Sequence, residues 1–469
     1  MGTNLKLFLM AVWIMPFLAC SSGGSNKGGD ILLPASGKVH EHLSCKENTL
    51  YTYSLYLPSS CANRFNQTPG SKKFPVVLAF DPSGDGSLPV KLYSKLAEKY
   101  GFILVGSNDS RNMQPPAENE AVVDAMFREI ENRLPIDTSA IYLMGFSGGS
   151  RVATAAAMYR PIVKGIIGCG AGFPSNVQPP MYKFDYFGIA GLGDFNLSEM
   201  VALDKTLAQM NFRHFFLEFD GIHGWPGTKE IEKAWLWHLF NAMKDLHIKK
   251  IDSLVASFTK NMTADYDSLV IRARLLYARQ ALAYSISCMN GLADVSALKG
   301  KLASLEASAG YRDAMKKFSL VMEQEQKDQQ MLMEAMYGKD LKWWKARIDK
   351  YRKNTDPRLS AEDTLMNHRM LAFLGLLCYS NATALVKQND LQQLKLVIGV
   401  YTMVEPENSE PYYVMAVMNA RVNDTVQALN WLGKSVDNGF RNKARAQSQP
   451  EFTILKDNTK FFDLIKRMK

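Results

Sequence analysis

Ala140-Ile141-Tyr142-Leu143-Met144-Gly145-Phe146-Ser147-Gly148-Gly149-Ser150-Arg151 decides how the first half of this chain is read. An apolar run of strand character ends at Met144. An alanine-rich helical stretch begins at Arg151. Between them stands Gly-x-Ser-x-Gly, with Ser147 at its centre. A serine at a sharp strand-to-helix turn needs strained backbone angles, and glycines on either side prevent clashes there. Such a turn lifts the hydroxyl to the carboxyl edge of a sheet, over a helix N-terminus whose dipole favours negative charge. Ser147 is therefore the candidate nucleophile. The bland alternative is a glycine-rich turn carrying an idle serine.

Working outward, short apolar runs alternate with helical periodicity from about residue 32 to 248. Strands are expected over 51–57, 74–80, 102–106, 140–144, 163–168, 186–190 and 214–219. Helices are expected over 93–100, 118–134, 151–159, 203–210 and 231–246. Near-continuous apolar strands such as Phe74-Pro75-Val76-Val77-Leu78-Ala79-Phe80 suit burial on both faces. Alternating strand and helix predicts an α/β fold, an open and mostly parallel sheet covered by helices on both faces.

With this motif in this context, the segment from about residue 52 to 225 resembles the α/β-hydrolase superfamily. It is most similar to secreted polyhydroxybutyrate-depolymerase-like and feruloyl-esterase-like enzymes. The resemblance implies a nucleophile, an acid and a histidine in that chain order. Gly221-Ile222-His223-Gly224-Trp225-Pro226 follows a late strand and is similar to the setting of the family's catalytic histidine, which makes His223 the candidate base. His214, inside a strand, and His238, in an apolar helix, read as structural. Asp194, in Gly191-Leu192-Gly193-Asp194-Phe195-Asn196, matches the family's acid turn after the penultimate strand; Asp185 and Asp220 are its rivals. The oxyanion hole is expected from the backbone N–H of Gly148 and a second N–H from Asp81-Pro82-Ser83-Gly84-Asp85-Gly86. That turn departs from the family's usual His-Gly. Pro82 has no N–H to donate, so Ser83 or Gly84 is the candidate, with Ser83 preferred.

The implied chemistry is ester hydrolysis through an acyl-enzyme. The expected substrate is a small-molecule or polysaccharide-linked ester, and no cofactor is needed. Tyr159, Tyr182 and Trp225 are candidates to line an acyl or alcohol pocket. A serine peptidase or thioesterase would use the same residues with a different pocket. A non-catalytic surface scaffold, whose helical half binds a protein partner, stays open because fold does not imply function.

The N-terminus points to the compartment. Lys6 precedes an apolar stretch over 7–17, followed by Ala19-Cys20-Ser21-Ser22-Gly23-Gly24. The run is too short to span a bilayer comfortably, so 1–19 reads as a signal peptide. Ala19-Cys20 resembles a bacterial lipobox, with Phe17 where that pattern usually has Leu. The resemblance implies lipidation of Cys20, a flexible tether over 20–31 and attachment to the cell envelope, on the periplasmic side or at the cell surface. No later segment approaches eighteen apolar residues, so the mature chain is not expected to span the bilayer. Cys45 and Cys61 would meet an oxidising compartment, where a disulfide is allowed. Cys169, Cys288 and Cys378 read as core residues. The six cysteines and seven histidines show no metal-site spacing.

The chain has 469 residues, 47% hydrophobic and 22% charged, enough for at least two cores. Its formal net charge of +9 is scattered, with no nucleic-acid motif, and no nucleic-acid partner is expected. Beyond about 248 strand signals nearly vanish, so 249–469 is expected to be all-α, with three or four helices over 254–351. Near the end, Tyr412, Met415, Ala416, Ala428, Leu432 and Ser435 fall at the key offsets of a unit over 409–442 that resembles a tetratricopeptide repeat. A weaker upstream unit covers about 380–404.

Overall fold

The structure, a computed structural model, describes residues 31–61, 64–65, 72–174, 180–353 and 361–468. The leader, Cys20 and most of the tether lie outside the described residues. In chain order the first half contains β1 (Ile31–Leu32), β2 (Val39–Ser44), β3 (Thr52–Tyr56), β4 (Arg64–Phe65), β5 (Phe74–Phe80) and α1 (Ser87–Tyr100). It continues with β6 (Ile103–Ser107), α2 (Pro116–Arg133), β7 (Ile136–Phe146), α3 (Gly148–Met158), β8 (Val163–Cys169) and β9 (Asp185–Gly193). Then come α4 (Leu197–Gln209), β10 (His214–Ile222) and α5 (Thr228–Lys244).

Eight of these strands form one sheet in the order β10-β9-β8-β7-β5-β6-β3-β2, while β1 and β4 pair separately. From β10 to β6 the neighbours are parallel; β3 runs antiparallel to both β6 and β2. This is an α/β-hydrolase architecture. Strand β2 escapes the periodicity because Val39-His40-Glu41-His42-Leu43-Ser44 has little strand propensity; pairing along β3 makes it an edge strand.

The pleat explains why the central strands are apolar throughout. On β5, Val76, Leu78 and Phe80 enter one core with Val122, Met126 and Ile130 of α2 and Ala153 and Ala157 of α3. Val77 and Ala79 enter the opposite core with Val90, Tyr93 and Ala97 of α1 and Trp235, Trp237 and Phe240 of α5. The parallel strands are covered on both sides, and all their crossovers deliver the loops at their carboxyl ends to one edge.

The second half is helical: α6 (Asp252–Asn261), α7 (Ala264–Ile271), α8 (Leu275–Met289), α9 (Ser296–Ala307), α10 (Ala309–Ala335), α11 (Leu341–Arg352), α12 (Ala361–Gln388), α13 (Leu391–Val404), α14 (Glu410–Arg421), α15 (Thr425–Asp437), α16 (Lys443–Ser448), a 3₁₀ turn at Pro450–Leu455 and α17 (Thr459–Arg467). Six helices, not three or four, begin between 252 and 341. Their breaks use no proline. Ala273 and Gly291 take positive φ, and Ser308 caps α10 by accepting from the Tyr311 N–H.

Element type changes between α5 and α6, close to residue 248, but the packing does not divide there. Val255, Leu282, Cys288, Leu298 and Leu305 join the core built on α5, and Trp237 donates its indole N–H to Ser287 of α8 at 2.7 Å. A separate core starts with α10 to α14. Contrary to the expectation that no later segment is apolar enough, helix α12 is long and apolar enough to cross a membrane by length and composition, its few polar residues being spaced along it. Its Met366, Met370, Leu374, Cys378, Ala382 and Leu385 form a buried stripe at helical spacing within that core. Near the end, Ala416 of α14 and Ala428 of α15 are fully buried where the two helices meet, and Ser435 Oγ donates to Ser409 O at 2.9 Å. Asn423 turns the chain at φ 61°, and Asp424 caps α15. The expected helix pair therefore forms around these residues. Residue 380, the start of the weaker unit, falls inside α12.

Candidate active site

Ser147 stands between β7 and α3 with φ 51° and ψ −123°. For a non-glycine residue this is a strained conformation, costing on the order of 1–3 kcal/mol. The surroundings enforce it. Ser147 N donates to Cys169 O at 2.8 Å. A Cβ on Gly145 would lie 2.2 Å from Gly149 O, and one on Gly149 would lie 1.9 Å from Phe80 O. Only glycines let the turn close this tightly against β5.

Two other strand ends bring partners to Ser147. His223 directly follows β10, and its Nε2 lies 3.0 Å from Ser147 Oγ. Its Nδ1 lies 2.8 Å from Asp194 Oδ1, at the end of β9. With the ring proton on Nδ1 donated to the carboxylate, Nε2 accepts from the serine hydroxyl. Asp194 is 1% exposed, and its Oδ1 also accepts from Asn196 N at 2.8 Å. Phe146 and Phe195 pack against the imidazole, with ring centroids 4.6 and 4.1 Å away. The histidine loop is pinned by Trp225 Nε1 donating to Asp81 Oδ2 at 2.7 Å and Tyr93 O–H donating to Pro226 O at 2.7 Å.

The rival residues are engaged elsewhere. Asp185 is paired with Arg213 and accepts from Asn241. Asp220 is paired with Arg274 and accepts from Tyr277. His214 pairs with Asp204 at 3.3 Å, which holds its pKa above the ordinary value. His238 is buried, with Nε2 at Ile166 O, and burial pushes its pKa down to about 3, so it is neutral.

In the turn after β5 the N–H groups expected as oxyanion donors are already engaged. Asp81 folds its carboxylate back into the turn. Its Oδ1 accepts from Ser83 N at 2.8 Å and from Ser83 Oγ. Gly84 N donates to Asp81 O at 3.2 Å. Both candidate N–H groups are thus spent inside the turn, that of Ser83 on the buried carboxylate and that of Gly84 on the Asp81 main-chain carbonyl. Gly148 begins α3 directly after Ser147, three residues before the helix start expected at Arg151. A residue beside Gly148 that sequence reasoning did not single out is Asn112, in the loop after β6. Its backbone N–H donates to Pro82 O at 2.8 Å, and its side-chain Oδ1 lies 1.7 Å from where a Cβ on Gly148 would be, with Nδ2 at 3.2 Å. The only signal for it was a polar loop, Ser107-Asn108-Asp109-Ser110-Arg111-Asn112, at the carboxyl end of a central strand.

A cavity of about 390 Å³ opens beside Gly148. Val123, Val152 and Ala156 line its apolar part, with Met113 and Tyr159, both exposed, and Arg111 also on its walls. Tyr159 therefore does line a pocket. Tyr182 is not among the lining residues, and Trp225 is committed to Asp81 and packed on Phe146. Among the described residues no cluster of His, Cys, Asp and Glu is arranged to hold a metal. No disulfide joins Cys45 and Cys61; both side chains are buried, and burial raises the Cys45 thiol to about 12.

No protein-family model matches the sequence, and no curated protein matches it. Solved structures do. One is S-formylglutathione hydrolase FrmB from Staphylococcus aureus, at 12% identity and TM-score 0.36, covering 44% of this chain and 99% of that one. A ferulic acid esterase matches at 17% identity and TM-score 0.33, over 43% of this chain and 95% of its own. A truncated carbohydrate esterase from gut microbiota matches at 13% identity and TM-score 0.35, over 44% and 97%.

Proposed function

We propose that this chain is a serine hydrolase that cleaves carboxylic esters through an acyl-enzyme. The observation that carries the proposal is the hydrogen-bonded line from Ser147 Oγ through His223 to the buried Asp194, built on a strained turn. In the reaction, Ser147 Oγ bonds to the ester carbon while its proton passes to His223 Nε2. The carbonyl oxygen becomes an oxyanion, held by the Gly148 N–H and, with the Asn112 carboxamide turned to present its NH2 edge, by Asn112 Nδ2. The C–O bond then breaks, and the leaving alcohol takes the proton from Nε2. Water attacks the acyl-enzyme, gives a proton to Nε2, and the acid leaves as Ser147 regains its hydrogen. Asp194 orients the imidazole and stabilises its cationic form. The cavity beside Gly148, with an apolar part and with Arg111, Arg151, Arg160 and Glu120 also on its walls, would take the acyl or alcohol group.

We further propose that Cys20 carries a lipid that holds the mature chain at the cell envelope. Peptidase and thioesterase activities would use the same three residues. The scaffold alternative, with a protein partner on the helical half, draws on the spent N–H groups of Ser83 and Gly84.

The deciding experiment is labelling of the purified chain with a fluorophosphonate probe, beside Ser147→Ala and His223→Ala. Labelling lost in both variants is the expected result. A well-folded parent that does not label refutes the enzyme. A panel of aryl esters, thioesters and peptide amides then separates the hydrolase classes.

A further inference from the structure

The helical half touches the acid turn at a costly point. Arg369 of α12 and Glu325 of α10 form an ion pair whose side chains are 3% and 0% exposed. The Arg369 Nε donates to both Glu325 oxygens, at 2.8 and 3.0 Å, and Nη2 donates to the same carboxylate. This leaves Nη1 aimed at the sheet, where it donates to Leu192 O at 2.6 Å. One helical turn beyond Glu325, Gln329 Nε2 approaches Phe195 O at 3.4 Å. Leu192 and Phe195 flank Asp194 on its two sides, and the Phe195 ring packs on His223. Apolar contacts seal the seam: Phe318, Val321 and Met322 of α10 pack with Leu192, Leu197 and Met200.

An apolar pair of similar volume would hold such a seam at least as well, because desolvating two ions offsets their attraction. What a guanidinium adds is geometry. Its planar fork is locked by one carboxylate and presents a further N–H in a fixed direction. Here that direction ends on the backbone two residues before Asp194. We propose that Arg369, oriented by Glu325, is a positioning residue for the catalytic acid, so that the helical half completes the active site rather than merely following it in the chain. The inference rests on the serine-hydrolase reading of Ser147, His223 and Asp194.

The test uses the purified full chain. It measures the rate constant for fluorophosphonate labelling, and kcat and KM for p-nitrophenyl butyrate. Arg369→Lys keeps a charge opposite Glu325 but loses the planar fork. The double variant Arg369→Met/Glu325→Leu removes both charges and leaves neither stranded. Misplacing a catalytic group by about 1 Å costs up to about 100-fold in rate. The expected result is a 10- to 100-fold loss in kcat and in labelling rate, with KM within about two-fold of the parent. Because Arg369 acts through Asp194, the same substitutions made on Asp194→Asn should change the rate less than about two-fold. A folded variant with parental kcat overturns the inference, as does a loss that is fully additive with Asp194→Asn. If the double variant fails to fold, Arg369→Lys alone decides between these outcomes. A parent that never labels overturns the serine-hydrolase reading itself, and is told apart by the absence of any Ser147-dependent signal.

Discussion

Gly149 offers a sharp test of how the proposed nucleophile is held. Replacing it with alanine places a Cβ 1.9 Å from Phe80 O, about 1.5 Å short of ordinary contact, and 2.6 Å from the Phe80 carbonyl carbon. Neither neighbour can give easily. Phe80 ends the buried strand β5, paired to Ser107 on one side and Gly145 on the other. The turn itself is tied by Ser147 N to Cys169 O. Relief therefore requires the turn to lift from β5 by on the order of 1 Å, carrying Ser147 away from His223 Nε2. Overpacking of this kind costs about 1–3 kcal/mol of stability. The displacement should lower the labelling rate by up to about 100-fold. Gly300→Ala is the control: it lies in α9, where an added Cβ meets nothing within 4 Å, and it should leave labelling unchanged. The assay is fluorophosphonate labelling followed by mass, with thermal unfolding in parallel. A Gly149→Ala protein with parental Tm and parental labelling rate would refute the tight-turn reasoning.

Two further outcomes are expected. Asn112→Ala should lower kcat about 10- to 100-fold with little change in KM, as loss of a donor used mainly in the transition state does; an unchanged kcat removes Asn112 from the oxyanion site. Glu218, facing the seam between the sheet and the helical half, has its carboxyl pushed up to about 7 by burial and by Asp204, against the pull of Arg279 and Arg369. A folded-state value above the unfolded one means that the folded chain favours the protonated acid, so its stability falls as pH rises from about 4.5 through 7. Glu218→Gln fixes the neutral form. Its gain over the parent in unfolding free energy, measured by urea titration, should therefore be larger at pH 8 than at pH 5, by on the order of 2–3 kcal/mol. An equal difference at both pH values would sink this account.

Strand, turn and helix around Ser147 were legible in the sequence because each is set by near neighbours: an apolar run, closely spaced glycines, an alanine-rich helix. His223 and Asp194 were legible for a related reason, since each sits in a short turn at a strand end and its chain order narrows its role. The oxyanion side was not legible. Whether Ser83 N–H is available depends on where the Asp81 carboxylate turns, and that carboxylate is held by Trp225, 144 positions away. Asn112 reaches the site only because Gly148 leaves room for it. The same holds for the helical half. Periodicity announces helices beyond residue 248, but their number depends on breaks such as Ala273, where φ is 55° and no proline or glycine stands. That α6 to α9 share the core of α5 follows from shape matching between faces, which one-dimensional spacing does not encode. Arg369 meets Leu192 across 177 positions. By itself, then, the sequence determined the local geometry of the turn and the order of the candidate residues. The tertiary structure decided which donors are spent, which loops converge and which helices touch the turn that carries Asp194, because hydrogen bonds and packing over such separations are chosen only when the whole chain closes.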